Sequence, residues 1–369
     1  MTSYPIYGFG IGGYRSFSGE PQILGPFKKI NIFIGENNSG KSNILRFIRD
    51  VYLPIAANPH QFKPISGTNA PRGGRNTDIL PLLLPASDHH LNTIGPELNA
   101  ADIAAIKTCL SVENDYCILP FSFSARKIVV NADAIAVSFE QHHRSAAIQR
   151  AWAKITKQGS GNLRIHWIPE VVEWFYRKTQ RLPGAFHYVP TLRQIPTKLE
   201  EFADEYGSVT KGPTVADELA ALAQPEHTRP QDRDKFQNIL RFMRLVLKRP
   251  ELQLSVPHDK STIIVEDHSR YLPIEALGTG LHQLLILAIK AVLVDNSVIC
   301  IEEPELHMHP ELQHQLMNFI ADHTTNQYFI TTHSATIMDS VDADVYSVRL
   351  EGTYSKLEKP LTRSARRSV

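Results

Sequence analysis

The sequence predicts an α/β fold with a mixed sheet, an antiparallel β lobe and a helical insertion. Three observations predict it. The apolar run 30–34 stops at Gly35, and Ile44, Leu45, Phe47 and Ile48 follow at helical spacing. Two further short apolar runs, 298–301 and 328–331, read as buried strands, with helical patterns before and between them. In the long stretch separating the first run from these two, the patterning turns to alternation and then to helical periodicity, so the two ends form one α/β sheet system around an insertion.

Taken in order, residues 5–48 read as strand, turn, strand, strand, loop and helix. Residues 54–95 are rich in Pro, Gly and Asn, including Pro71-Arg-Gly-Gly-Arg75, which predicts a long surface loop or lid. A helical pattern covers 97–112, three alternating runs over 116–139 suggest an antiparallel meander, and 146–156 and 171–179 return to helix. A strand at 186–189 leads into Pro190-Thr-Leu-Arg-Gln-Ile-Pro196. Residues 197–250 read as mainly helical, and around 235–248 Phe236, Ile239, Leu240, Met243, Val246 and Leu247 share one stripe. Short strands follow at 252–254, 263–265 and 271–274, then a helix at 280–294, a strand at 298–301, a helix at 310–322 and a strand at 328–331. The last strands lie near 345–350 and 354–358. The expected layout is one domain split as 1–53 and 250–358 around an insertion at 54–249, with a basic tail at 359–369.

The 369 residues are 42% hydrophobic and 21% charged, an ordinary globular composition long enough to bury a core without metal or disulfide staples. Three cysteines, Cys109, Cys117 and Cys300, argue against a disulfide scaffold and suit a reducing cytoplasm. Cys109 and Cys117 have no matching second pair, so no zinc site is expected. No apolar run approaches the ~20 residues of a membrane helix, and MTSYPIYGFG lacks the basic and apolar regions of a secretory signal, so no membrane association is expected. Lys and Arg total 39 against 38 Asp and Glu, so net charge is neutral on the question of nucleic acid. There is no internal repeat and no sustained heptad array.

Gly35-Glu-Asn-Asn-Ser-Gly40-Lys41-Ser42 matches GxxxxGK[ST] in full, with a strand entering and a helix leaving. In such a loop glycines let backbone N–H groups curl around phosphates, and the helix start adds partial positive charge. Lys41 is expected to reach the β- and γ-phosphates of ATP, and Ser42 to ligate Mg²⁺. Gly35, Asn37, Asn38, Ser39, Gly40 and Asn43 complete the expected nucleotide contacts.

Val298-Ile-Cys-Ile-Glu302-Glu303-Pro304 is an apolar strand ending in two carboxylates. Strand alternation points Glu302 and Glu303 in different directions. Glu302 is assigned to Mg²⁺ and Glu303 to orienting and deprotonating the attacking water. Leu277-Gly-Thr-Gly-Leu-His-Gln283 opens an apolar helix; the turn is either an anion site or a plain helix start capped by Thr279. In Thr331-Thr-His333-Ser334, His333 is either a γ-phosphate contact or a structural residue at a strand end.

The order of these motifs, with Ile-Glu-Glu-Pro-Glu-Leu-His-Met-His-Pro at 301–310, resembles the ABC-type ATPase heads of the SMC/RecF class. The set looks most like the OLD-like (overcoming lysogenization defect) ATPases of bacterial defence and DNA-maintenance systems. Gly13-Tyr-Arg-Ser-Phe17 matches their usual first strand. The resemblance covers residues ~5–50 and ~250–358; in the middle, Tyr188-Val-Pro-Thr-Leu-Arg193-Gln194 looks like the segment at the Q-loop, which makes Gln194 a nucleotide contact. It implies a P-loop NTPase that forms a head-to-tail homodimer, or a higher homo-oligomer, with ATP sandwiched at the interface. Lys41, Ser42, Glu302, Glu303 and His333 would act from one chain, and Gly278, Thr279 and Gly280 would cap the γ-phosphate from the other. Residues 305–309 would form the D-loop, which makes His307 and His309 interface residues rather than metal ligands.

Three features depart from the pattern. Glu302 stands where the usual metal-binding residue is Asp. The signature serine is absent, and Thr279 is its nearest hydroxyl. Only 36 residues follow His333, too few for the TOPRIM nuclease domain of OLD nucleases, so the expected protein is an ATPase subunit acting on a separately encoded effector, a nuclease or toxin. The alternatives are a DNA-repair ATPase of the RecF kind and, less favoured, a transporter ATPase. Arg233, Lys235, Arg241, Arg244, Lys248 and Arg249 in one helix, and Lys356, Lys359, Arg363, Arg366 and Arg367 near the end, are candidate DNA contacts or simply solvated charge. Arg72 and Arg75 in the Gly-rich segment are candidate contacts to nucleotide or DNA, between which their spacing does not decide.

Overall fold

The computed structural model describes residues 4–57, 79–124, 127–130, 135, 145–157, 161–179, 183–191, 201–203, 209–211, 215–227, 229–267 and 270–358. The described residues divide into two compact units: those within 1–28, 36–182 and 348–358 form the first, and those within 29–35 and 183–347 the second.

The first unit contains an antiparallel sheet in the order β2-β1-β4-β5-β6, from Gln22–Leu24, Gly8–Ile11, Ile79–Pro85, Tyr116–Ser124 and Lys127–Val130. Phe9 of β1 pairs with Leu24 on one side and Leu82 on the other. Its ring lies 5.3–5.4 Å from those of Phe27, Phe47 and Tyr52, so one aromatic cluster joins the sheet to the helix α1 (Lys41–Phe47) and the π turn after it. Tyr14 packs edge-on against Phe47 and donates to Asp50 Oδ2 at 3.0 Å. Burial, reinforced by the Asp50 charge, pushes the Tyr14 phenol well above its ordinary pKa.

After α2 (Leu53–Ala57) come α3 (Asp88–Ile94), α4 (Ala100–Cys109), α5 (Ala146–Thr156) and α6 (Ile168–Thr179). Trp152 and Trp167 stack at 4.5 Å among them. Cys109, Cys117 and Cys300 are all free and buried, and burial pushes the first two thiols up to about 12, which leaves them unreactive.

In the second unit the strands β7 (Phe186–Val189), β13 (Val298–Glu302), β14 (Gln327–Thr331), β3 (Ile30–Ile34) and β15 (Asp344–Glu351) lie side by side in that order, and each pairs in parallel with its neighbours. Every residue of β3, β13 and β14 is buried, which is why these runs are mostly apolar; the polar Asn31 inside β3 is satisfied by donating to Tyr328 O at 3.2 Å. The core also takes in α7 (Val215–Ala223), α8 (Gln231–Leu247), α9 (Thr279–Leu293), α10 (Pro310–His323) and α11 (Ala335–Ser340). An antiparallel meander runs β10 (Gln253–Ser255), β11 (Ile264–Asp267) and β12 (Arg270–Pro273). Val348–Glu351, the part of β15 that belongs to the first unit, pairs antiparallel with β16 (Tyr354–Leu357), so the strand order carries both parallel and antiparallel pairs.

Several expectations need correction. The segment 54–95 is not a continuous loop: it carries α2, β4 and α3. β4 was hidden by Pro81 and Pro85, since proline is a poor sign of an interior strand. The β1 pairing stops at Phe9↔Leu82, before Pro81, and Pro81 faces Pro120 on the other side. The segment read as mainly helical from 197 also contains the short antiparallel pair β8 (Glu201–Ala203) and β9 (Val209–Lys211). The third run of the 116–139 meander and the tail beyond 358 lie outside the described residues. Among the described residues no helix is long and apolar enough to cross a membrane.

Asp102 anchors the helical part of the first unit. Its Oδ2 accepts from the Asn99 N–H at 3.1 Å, while Asn99 Oδ1 accepts from the Asp102 N–H at 2.9 Å, a reciprocal cap on α4. Lys154 of α5 donates to the same Oδ2 at 2.6 Å. Burial alone would raise the Asp102 pKa; the Lys154 and Asn99 hydrogen bonds outweigh it and hold the carboxyl below its ordinary value. A depressed carboxyl pKa contributes stability above the ordinary carboxylate range, and this is lost as pH falls through the depressed value. Asp102→Asn is therefore expected to cost roughly 1–3 kcal/mol at neutral pH and to make unfolding less sensitive to acid. Urea unfolding at pH 7 and pH 3 checks both, and equal acid sensitivity of variant and wild type would count against this role.

Candidate functional site

β3 ends at Ile34, and the chain turns through Gly35 (φ 149°), Asn38 (φ 63°) and Gly40 (φ 105°) before α1 begins at Lys41. Positive φ at three positions in six curls the loop. The Ser39 N–H closes it onto Glu36 O at 3.2 Å. The helix start has no side-chain cap and no acidic residue in its first turn. Its first N–H groups have no partner within the helix, so the local field and donors suit an anion. Lys41 is buried and bends back to donate to Glu36 O at 2.8 Å. Ser39 Oγ is buried with no hydrogen-bond partner among the described residues.

The motif Gly13–Phe17, expected as a first strand, is instead the turn after β1, closed by the Phe17 N–H on Tyr14 O at 2.8 Å, and it supports this loop. Asn43 Nδ2 donates to Ser16 Oγ at 2.8 Å, and the Ser355 N–H donates to Ser16 O at 2.7 Å. The Asn43 amide, expected at the nucleotide, is thus engaged with Ser16. A Cβ on Gly40 would collide with Ser355 Oγ and lie 2.7 Å from Ser16 Oγ, so glycine is required there by space as well as by φ.

In the second unit, parallel pairing brings the ends of β7, β13 and β14 to one sheet edge. Glu302 is only 8% exposed. Tyr188 Oη donates to its Oε1 at 2.6 Å, and Thr191 Oγ1 approaches Oε2 at 3.4 Å. Sequence reasoning gave neither residue this part. Glu303 does point elsewhere than Glu302, but not through strand alternation: β13 stops at Glu302, and Glu303 takes φ 41°. Its N–H still donates to Thr331 O at 2.9 Å, and its carboxylate comes within 3.6 Å of His333 Nε2. Left-handed backbone at a non-glycine residue is strained and is typical of functional turns.

At the glycine turn, Gly278 (φ 95°) is the cap residue and Thr279 is already the first residue of α9. The expectation of a Thr279 side-chain cap is therefore not met: no side chain caps this helix. Gly278 and Thr279 are exposed. Gly280 is pinned from behind, since a Cβ there would lie 2.5 Å from His307 O.

The remaining candidates separate. Gln194, Arg193, Arg72, Arg75, Lys359, Arg363, Arg366 and Arg367 lie outside the described residues. Lys235 is paired with Asp295 at 2.7 Å, and Arg244 donates to Leu252 O at 2.8 Å, so both brace the fold. Arg233, Arg241, Lys248 and Arg249 are exposed, and Lys356 pairs with Glu351 at 2.9 Å.

A family model described as "AAA domain, putative AbiEii toxin, Type IV TA system" matches residues 167–339, a span that holds Glu302, Glu303, His333 and the glycine turn but not the phosphate loop. No curated protein matches the chain. Among solved structures, the SMC head bound to the C-winged helix domain of ScpA is similar at a TM-score of 0.53 and 14% identity, over 98% of this chain and 99% of that one. The SMC head domain from Thermotoga maritima gives a TM-score of 0.46 at 12% identity, over 97% and 99%. The first of these likenesses shows that the chain has the fold of an SMC-type ATPase head, the ABC-type P-loop fold expected from the motifs.

Gly40→Ala is expected to weaken ATP binding by at least about tenfold, because the added methyl cannot fit without moving the loop. Titration with a fluorescent ATP analogue checks this, and unchanged affinity would show that the loop tolerates the shift.

Proposed function

We propose that this chain binds and hydrolyses ATP and that ATP closes two copies of it head to tail, as a switch acting on a separately encoded effector. The observation that carries the reading is the curled loop and uncapped helix start at Gly35–Ser42, in a chain with the fold of an SMC-type ATPase head. Gly35, Asn37, Asn38, Ser39 and Gly40 surround the phosphates, and Lys41 exchanges its Glu36 contact for the β- and γ-phosphates. Ser42 and Glu302 are assigned to Mg²⁺ on their donor chemistry: both offer oxygen, and Tyr188 and Thr191 orient Glu302 through hydroxyl groups. When bound, Mg²⁺ neutralises charge on the β- and γ-phosphates. Glu303 orients the attacking water and takes its proton, His333 contacts the γ-phosphate, and Gln194 senses the same group. Gly278, Thr279 and Gly280 of the second copy cap the γ-phosphate, with Thr279 as the hydroxyl.

The motif order supports a defence setting in the cytoplasm, in which the effector is a nuclease or toxin. The AbiEii-toxin description of the matching family is compatible with that setting. The reading includes a single domain split as 1–53 and 250–358 around 54–249, and a homodimer or higher homo-oligomer. A second reading, a RecF-like DNA-maintenance ATPase, is favoured by the exposed Arg233, Arg241, Lys248 and Arg249.

Glu303→Gln keeps the side-chain shape but cannot accept the water's proton. It is expected to bind ATP·Mg²⁺, to lose at least about a hundredfold in turnover and to accumulate as an ATP-dependent dimer by light scattering. Lys41→Ala is expected to lose both binding and turnover. Normal ATP turnover by Lys41→Ala would sink the assignment.

A further inference from the structure

We infer that Glu305 is a positioning residue for the proposed hydrolysis: its carboxylate fixes the His333 backbone, and thereby sets the imidazole opposite Glu303. The inference rests on the ATPase reading above for its catalytic meaning, and on geometry alone for the contact.

His333 sits on the short link between β14 and α11 and is exposed. Its imidazole is 3.6 Å from Glu303, too far for a hydrogen bond, so that contact does not hold the ring in place. What holds the link is its backbone. The His333 N–H donates to Glu305 Oε1 at 2.7 Å, a short hydrogen bond from main chain to carboxyl oxygen. Glu305 lies in the turn that starts at Glu303. That turn is closed by Leu306 N–H to Glu303 O at 3.2 Å and Met308 N–H to Glu305 O at 2.8 Å. One turn therefore both faces and holds His333: Glu303 lies opposite the imidazole, and Glu305 grips the main chain.

A second tie runs in parallel. Gln313 is buried; its Nε2 donates to Met308 O at 2.8 Å, and its Oε1 accepts from Ser334 Oγ. The turn and the histidine link thus form one hydrogen-bonded piece. Glu305 Oε2 is buried with no hydrogen-bond partner among the described residues. A carboxylate left half-satisfied in this way is costly to keep, so its removal is not expected to weaken the fold much. That separates a positioning role from a purely structural one.

The test uses the full chain, with Glu305→Ala, Glu305→Gln, His333→Ala and the Glu305→Ala/His333→Ala double variant. Glu305→Ala is expected to lower kcat by at least about tenfold with KM and thermal midpoint little changed. Glu305→Gln, whose amide oxygen still accepts, is expected to recover most of the loss. The double variant should be no slower than His333→Ala, because both changes remove one effect. Hydrogen exchange reads the contact without any turnover: the His333 amide should be protected in the wild type and exchange at least about tenfold faster in Glu305→Ala. An unprotected His333 amide in the wild type, unchanged kcat in Glu305→Ala, or losses that multiply in the double variant would each overturn the inference. A wild type that protects this amide but never turns over ATP would instead overturn the ATPase reading and leave the contact standing.

Discussion

Parallel pairing is the constraint on which the candidate chemistry of the second unit depends. When β7, β13, β14, β3 and β15 run side by side in one direction, their C-terminal ends must come out at one edge. That edge collects Tyr188 near the end of β7 and Thr191 after it, Glu302 and Glu303 at β13, Thr331 to His333 at β14, and Gly35 after β3. Three of these strands are buried throughout, so their interiors are mostly apolar and the carboxylates come only where β13 ends. Glu302 shows the consequence. A buried carboxylate is costly without donors, and the strand next to β13 supplies one from Tyr188.

The parts of this arrangement that are contiguous in the chain were legible in the sequence. A strand, a glycine loop and a helix in the consecutive residues 30–47 declare themselves by period and spacing. The buried strands were legible for the same reason, since both faces must be apolar. Tyr188 was not legible as a partner of Glu302, because nothing in local pattern says that 186–189 pairs with a strand more than a hundred residues later. Glu305 escaped for a related reason: its acceptor role exists only once the turn and the link after β14 are folded together. The separation of Glu302 from Glu303 was anticipated, but for the wrong cause. The backbone leaves the strand at Glu303, so a left-handed residue rather than the strand pleat re-aims the side chain.

Two further differences are instructive. β4 carries prolines that argue against an interior strand, and the structure accommodates them by ending one ladder early and setting two prolines face to face. The basic helix looked like a uniform candidate for phosphate contacts. Folding divides it: Lys235 and Arg244 brace Asp295 and Leu252 O, Arg233 and Arg241 are exposed on the helix, and Lys248 and Arg249 are exposed beyond its end at Leu247. Charge counted along a helix therefore overstates what a partner can reach.

The central claim is that each active site takes its phosphate loop from one copy and its glycine turn from another. Mixing two inactive variants tests it most directly. Lys41→Ala disables the loop. Thr279→Arg blocks the turn at an exposed position and avoids Gly280, where any side chain would press on His307 O of the same chain. Each is expected to be inactive alone. Random exchange makes half the dimers mixed, and each mixed dimer holds one site with both defects and one with neither, so roughly a quarter of wild-type ATP turnover should return. Full activity of Thr279→Arg by itself, or a mixture no more active than its components, would contradict the shared site.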